Sequence, residues 1–425
     1  MKIYRNPQPA EWGAIVSRPH LDVTQLHDTV AAILADVRQR GDEAVREYEQ
    51  RFDHAQLASL AVSEEEFDEA ETLISAELKE AIRMAHHNIA MFHESQRFEG
   101  RKIETQPGVT CWQKSVPIER VGLYIPGGTA PLFSTVLMLA TPARIAGCGQ
   151  IVLSTPPSPE GKVHPAILFA ARVAGVSHIY KIGGVQAIGA LAYGTESVPK
   201  VYKIFGPGNQ YVMQAKQQVS LGDAAIDMPA GPSEVCVIAD ETARPDFVAA
   251  DLLSQAEHGI DSQVLLITTS EQMLNDVWKE VEAQLERLPR KAIAAKTLEN
   301  SVCVLVGNVD EAIELSNVYA PEHLIIQTKD YEQLAARVVN AGSVFLGSYA
   351  CESAGDYASG TNHTLPTHGY ATAYSGVNLD SYCRKITFQH LTKQGAAIIG
   401  PAVTAMAAAE QLDAHRNAMQ LRIVD

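Results

Sequence analysis

The chain has 425 residues, 46% hydrophobic and 20% charged, enough for two or three domains with substantial cores and no need of covalent staples. A formal net charge of −16 with no basic tract argues against a nucleic-acid or anionic-membrane surface and favours a small-molecule ligand. The opening residues hold no apolar signal core. The most apolar stretch, STVLMLATPARIAG (134–147), is too short to span a bilayer, so the expected location is the cytoplasm, with no membrane partner.

From about Val23 to Arg97 the chain is rich in Ala, Glu, Leu and Arg at helical spacing, as in VAAILADVRQRGDEAVREYEQRF, which predicts a helical segment. His86, His87 and His93 fall on its solvated or packing faces and are assigned no chemistry. At Val121 the pattern changes to short β-branched runs, VGLYI, IVLST, HIYKI and KVYKIF, each followed by an apolar helix. Repeated βα units of this length predict a parallel sheet wound on both faces. After DMPAGPS (227–233), read as a hinge, a second series begins with strands VCVIA, QVLLIT, VCVLVG, LIIQT and SVFLG, again alternating with helices. Past Gly347 the chain reads as loop, and from about Gly395 as one Ala-rich helix whose apolar surface calls for a packing partner. The six cysteines show no CxxC pair and read as reduced thiols.

In doubly wound folds ligands lie beyond the carboxyl ends of the strands, so the residues after each strand are the candidates. In the first unit these are PGGTAP, GGVQA and GPGNQ, where Gly127, Gly128, Gly183, Gly184, Gly206 and Gly208 allow close approach of a phosphate and Tyr124, Gln186 and Asn209 offer side chains. No GxGxxG with a following acid is present, and turn glycines alone explain these stretches equally well. In the second unit the same rule directs attention to NVYAPEHLIIQ, where Glu322 and His323 form a carboxylate–imidazole pair suited to acid and base work.

PDFVAADLLSQAEHG reads as a helix stopping at Gly259, with Gln255 and His258 three apart on one face and Glu257 pointing elsewhere. An exposed helix end explains this pair on its own. The polar loop ESAGDYASGTNHTLPTHG adds Asp356, His363 and His368. Glu410 and His415, five apart, are about 140° apart around a regular helix, so for both to reach one site the helix must end between them or the site must wrap its terminus. Pooled, Gln255, His258, Asp356 and one further His make a nitrogen–oxygen set suited to Zn²⁺ or another first-row ion.

The phrases VGLYIPGGTAPLFSTVLMLATPARIAGC, KIGGVQAIGALAYGTESVPKV, IFGPGNQYV, AAIDMPAGPSEV, DLLSQAEHG, PEHLIIQT and ESAGDYASGTNHTLPT resemble the histidinol dehydrogenase family, in the same order and from about residue 20 to the end. The resemblance implies a zinc-dependent, NAD-dependent oxidation of L-histidinol to L-histidine through the aldehyde. It implies Gln255, His258 and Asp356 as metal ligands, with His415 the fourth, supplied across a homodimer. Glu322 and His323 become the catalytic pair. Ser233, His363 and the crossed-over Glu410 join the metal ligands and His323 in contacting substrate, while Tyr124, Gln186 and Asn209 contact NAD. A related metal- and NAD-dependent dehydrogenase of another amino or sulfo alcohol remains the alternative. A zinc hydrolase without nucleotide fits the metal and Glu322 but leaves the first α/β unit unemployed.

The expected fold is therefore α/β, with two Rossmann-like doubly wound parallel sheets, a helical N-terminal segment and a helical tail that crosses to the partner subunit. The expected division is an arm at 1–19, a larger α/β domain of 20–122 with 236–377 carrying the metal and the catalytic pair, a Rossmann-like NAD domain at 123–235, and a dimerisation tail at 378–425.

Overall fold

The computed structural model describes residues 1–18, 24–127, 130–229 and 231–423; Gly128 of the first glycine turn and Ala230 of the hinge lie outside these. Strands β4 (Arg120–Tyr124), β5 (Gln150–Thr155), β6 (His178–Lys181), β7 (Lys203–Phe205) and β8 (Ala225–Ile226) follow β1 (Lys2–Arg5), β2 (Ile103–Gln106) and β3 (Val109–Pro117) along the chain. They form a five-stranded parallel sheet in the order β6-β5-β4-β7-β8. Strands β9 (Glu234–Ala239), β10 (Gln263–Thr268), β11 (Val302–Leu305), β12 (His323–Gln327) and β13 (Ser343–Leu346) join β1 in a second parallel sheet, ordered β1-β11-β10-β9-β12-β13. Numbered within its own unit, each sheet runs 3-2-1-4-5, the doubly wound order with its switch point beside the first strand.

The alternation of a strand buried on both faces explains the two cores of the first unit. Val121, Leu123 and Ile125 pack with helices Glu64–Leu73, Ala76–Glu94, Phe133–Ala146 and Pro165–Val173. Tyr124 points the other way, into a core made with helices Thr24–Arg40, Asp42–Tyr48, Gly184–Tyr193 and Gln210–Val219. The N-terminal helices thus share their cores with the first sheet. The apolar faces of these helices are buried against 121–219. At the start of the chain β1 extends the second sheet, and Trp12 and Val16 lie in the core beneath it.

Two further features depart from expectation. The loop-like region after Gly347 contains β14 (Cys383–Leu391), which pairs antiparallel with β3; with β2 it makes a three-stranded sheet of its own. The Ala-rich tail is two helices, Lys393–Ala409 and Asp413–Ile423, packed on each other and broken at Gln411, whose φ is 58°. Glu410 closes the first helix and His415 lies in the first turn of the second, so the helix does end between them.

Candidate active site

Glu322 and His323 lie where β12 begins. The preceding helix, Val309–Tyr319, ends on Ala320 in the left-handed region (φ 50°, ψ 63°), and Pro321 then turns the chain into the strand. A left-handed alanine costs about 1–2 kcal/mol, which the buried surroundings sustain. Beside it a side chain at Gly342 would come within 2.6 Å of the Glu322 carbonyl, so glycine is required for β13 to start there. Both functional side chains are buried and both are held by one residue of β9: the Glu234 N–H donates to Glu322 Oε2 (2.9 Å), and the Glu234 carbonyl faces His323 Nδ1 (3.3 Å). With Nδ1 committed to that carbonyl, His323 Nε2 is the ring nitrogen that faces the cluster, buried and 3.4 Å from Asp356 Oδ1.

Around this imidazole the chain gathers carboxyls. Asp356 and Glu352 are four apart on the short helix Glu352–Tyr357 and share a face. His258, Glu352 and Asp356 each place one ligand atom within 4.8 Å of the others. Burial pushes the Glu322 and Glu352 carboxyls up to about 8, against the lowering effect of His323. Burial also works against charge on His323, but Glu322, Glu352 and Asp356 outweigh it and raise the imidazole to about 10. Asp356 is pushed up by burial, yet His323, His363 and His258 hold it lowered overall. Three carboxyls, Glu322, Glu352 and Asp356, converge on the buried imidazole of His323, an electrostatic setting for a cation.

Helix Pro245–Ala256 delivers the other two predicted ligands. It ends before Gly259: Glu257 is the cap, and His258 sits just beyond it on the cleft wall, exposed to water but flanked by enough protein to lower its pKa despite Asp356. Gln255, in the last helical turn, is fully buried, and neither its amide oxygen nor its nitrogen has a hydrogen-bond partner. Such a group costs about 1–3 kcal/mol unless something fills its coordination, so the donor set of Gln255, His258, Asp356 and Glu352 fits a divalent metal. His363 is engaged at both ring nitrogens, Nδ1 to the Asp356 carbonyl (2.9 Å) and Nε2 to Thr135 Oγ1 (3.2 Å). Its loop is braced from the first unit by Asn88 to the Ala358 carbonyl (2.8 Å) and by Asn362, which bonds the Met138 carbonyl (2.6 Å) and faces buried His93 (3.3 Å). Ser233, half-buried, precedes Glu234 at the head of β9. Glu410 and His415 are exposed on the tail and do not join the cluster within this chain.

The cluster therefore lies at the amino ends of the second sheet's strands. The expectation that both units use their carboxyl ends is corrected for this one: it is the amino edge of the second sheet that docks, through His363 and Thr135, on the carboxyl edge of the first. A cavity of about 1310 Å³ is lined by Tyr124, Gly127, Gly184, Gln186 and Asn209, which follow β4, β6 and β7. Asn209 caps helix Gln210–Val219 by accepting from the N–H groups of Tyr211 and Val212. Gly206 is needed because a side chain there would strike the Tyr124 carbonyl at 2.1 Å; its N–H and carbonyl are tied to the buried Asp227–Lys216 pair. Pro131 lines the cavity and Thr135 bonds His363, so four residues of chain link the cavity wall to the carboxyl–imidazole cluster.

Glu352 is the member of this cluster that sequence reasoning missed; its four-residue spacing from Asp356 was the available signal.

Residues 16–423 match the family model for histidinol dehydrogenase. A histidinol dehydrogenase of Bacteroides thetaiotaomicron is 65% identical over 423 residues, covering 100% of this chain and 99% of its own. One from Shigella boydii is 52% identical, covering 96% and 94% respectively. The crystal structure of histidinol dehydrogenase from Elizabethkingia anophelis superposes with a TM-score of 0.98 at 53% identity, over 100% of this chain and 98% of that one. With this agreement in sequence and fold over its whole length, the chain belongs to the histidinol dehydrogenase family, a family of oxidoreductases.

Proposed function

We propose that this chain oxidises L-histidinol to L-histidine through bound L-histidinal, using Zn²⁺ and two NAD⁺ per turnover, as a homodimer with shared sites. The observation that carries the reading is the buried, unpartnered amide of Gln255 on the same helix end as His258, whose imidazole converges with Asp356 and Glu352. Gln255, His258 and Asp356 would hold the ion, with His415 supplied by the second copy; Glu352 is a further carboxyl at the same spot. When bound, the ion supplies Lewis acidity and a grip on substrate nitrogen, and the nucleotide in the cavity past Tyr124, Gln186 and Asn209 accepts hydride.

The chain's own residues handle protons and water. With a bound cation offsetting the carboxyl charges that raise it, His323, its Nδ1–H committed to the Glu234 carbonyl, would present a free Nε2 to take the proton of the substrate hydroxyl as the carbinol carbon gives up hydride. Loss of one proton and one hydride leaves the aldehyde. Glu322, fixed at Oε2 by the Glu234 N–H, takes a proton from water as its oxygen adds to the aldehyde carbon. The resulting hydrate then loses a second hydride and proton to become the carboxylic acid. Ser233, His363 and the partner-derived Glu410 are assigned to substrate contact. The amphipathic tail, with Ile398, Met406, Leu412 and Leu421 exposed, supports a docked second copy.

The deciding experiment is an assay of NADH formed per histidinol, with and without chelator. Two NADH per substrate, lost on chelation and restored by Zn²⁺, is the expected result; one NADH with free aldehyde released would overturn the two-step assignment.

A further inference from the structure

Beneath the cavity at the carboxyl edge of the first sheet lies a pair of acids that the chemistry above does not use. Glu49 is fully buried in a π-helical turn, Glu49–Asp53, that closes the Asp42–Tyr48 helix; the His54 N–H reaches back five residues to the Glu49 carbonyl. Such wide turns concentrate at functional sites. Glu49 Oε1 accepts from the N–H of Gly183 (2.9 Å) and from Gln186 Nε2 (2.7 Å), so one oxygen spans both ends of the glycine turn that opens helix Gly184–Tyr193. The Tyr124 hydroxyl, accepting from the Gly184 N–H (3.1 Å), completes the support. Glu49 Oε2 is buried with no hydrogen-bond partner, and the charged group acting on Glu49 most strongly is Asp53. Asp53 lines the cavity and packs against Gly183, where an added side chain would meet Asp53 Oδ2 at 3.2 Å.

We propose that Glu49 is a positioning residue for the nucleotide cavity: as a neutral acid it fixes the Gly183–Gln186 turn while sharing one proton with Asp53, so that the cavity floor carries a single negative charge. The inference rests on the nucleotide reading of this cavity. Burial, and then the Asp53 charge, against the bonds from Gln186 and Gly183, push Glu49 up to about 8. Below that pH one proton serves both carboxyls. Above it the floor holds two negative charges facing a cavity assigned to a pyrophosphate, and nucleotide affinity falls. Among the described residues, the other charged or titratable groups around the pair are Tyr48, Arg51 and His54 on the same stretch, Lys162 and His164 from the cavity lining, and Tyr124 from β4, whose phenol burial raises further.

The test is an NADH fluorescence titration of the full-length, zinc-loaded protein between pH 6.5 and 9.5, each pH buffered at constant ionic strength. Wild type should weaken between pH 7 and pH 9, by up to the roughly tenfold that loss of one proton at a pKa of about 8 allows. Glu49→Gln keeps an acceptor for Gly183 and a donor for Asp53 but cannot ionise; it should stay within about twofold of wild type at pH 7 and change little across the range. Asp53→Asn, a second variant in case the first fails to fold, removes the neighbouring charge but not the burial and should move the midpoint to lower pH. Equal pH dependence in wild type and Glu49→Gln, an unmoved midpoint in Asp53→Asn, or a flat wild-type profile would overturn the proposal. Absence of NADH binding at every pH would instead overturn the nucleotide reading, and the inference with it.

Discussion

The backbone of Glu234 holds Glu322, its N–H donating to Oε2 at 2.9 Å, while the Glu234 side chain is itself clamped from the far end of the chain. Arg18 meets the Glu234 carboxylate with Nε at 2.5 Å and Nη2 at 2.7 Å, bonds the Tyr319 carbonyl (2.7 Å) and lies 4.2 Å from the centre of the Tyr319 ring. The pair is almost wholly buried on the carboxylate side. Arg18→Met should therefore destabilise the protein by about 3–5 kcal/mol, because it strands a buried charge, whereas Arg18→Met with Glu234→Gln should recover most of that loss. As Glu234 also carries the His323 contact, the single variant should lose kcat more than it raises KM for histidinol. Urea unfolding and steady-state kinetics check both; a loss under about 1 kcal/mol would show that the arm does not brace the site.

Gln255 sets stability against binding. Its buried amide has no partner, so Gln255→Leu should leave metal-free protein as stable as wild type or more stable, by up to about 1–3 kcal/mol. The same change should weaken Zn²⁺ binding by at least about tenfold and shrink the rise in Tm that the ion produces. Melting curves in chelator and across a Zn²⁺ titration separate the two effects. An undiminished Zn²⁺-dependent shift in Gln255→Leu would remove this residue from the ligand set.

The parallel sheets were legible because most of their strands, β4, β5, β9, β10 and β12 among them, are short apolar runs buried on both faces and ended by a turn, so local pattern and final burial agree. The third sheet was not. TCWQKSVP in β3 and CRKITFQHL in β14 are largely half-exposed or exposed, with no apolar run to mark them, and their pairing joins residues some 270 positions apart. Glu322 and His323 were found as a pair, yet their place at the amino edge of the second sheet depends on which edge docks on the first unit, a relation no single strand carries. The helix stop was read one turn late: the last helical residue is Ala256, and Gly259 does not take the left-handed φ of a glycine cap. Gln255 and His258 still face one site because His258 N–H bonds the Gln255 carbonyl (3.2 Å) across that final turn.

Asp251 gives a pH-dependent prediction. It is buried on the same helix as Gln255, accepts from Gln327 Nε2 (2.7 Å), and burial raises it from 3.8 to about 7 against that bond. An acid whose folded pKa exceeds its unfolded one contributes its full share of stability below about 4, and loses it as pH rises through about 7. Asp251→Asn keeps the acceptor and cannot ionise. Relative to wild type it should gain stability by about 1.4 kcal/mol per pH unit over that interval and hold the gain above it. Chemical denaturation of the two proteins at pH 4.5, 6 and 8 reads this directly; a pH-independent difference would show that Asp251 is ionised throughout.

The tail supplies the last prediction. Glu410 and His415 flank the break at Gln411, both exposed, on helices that rest on each other and on β14 and β2 and that reach no part of the carboxyl–imidazole cluster of their own chain. If each tail completes the site of the other copy, His415→Ala and Gln255→Ala proteins should each be almost inactive, by about 10²-fold or more in kcat. Mixed after reversible dissociation, half the dimers are heterodimers. In each of these one site combines the intact Gln255 of one chain with the intact His415 of the other, and the second site carries both losses. Activity should return to about a quarter of wild type, since only one site in two is whole in half the population. Size-exclusion chromatography confirms exchange, and activity follows its time course. Exchange without any recovery would place His415 in the site of its own chain and refute the crossed-over tail.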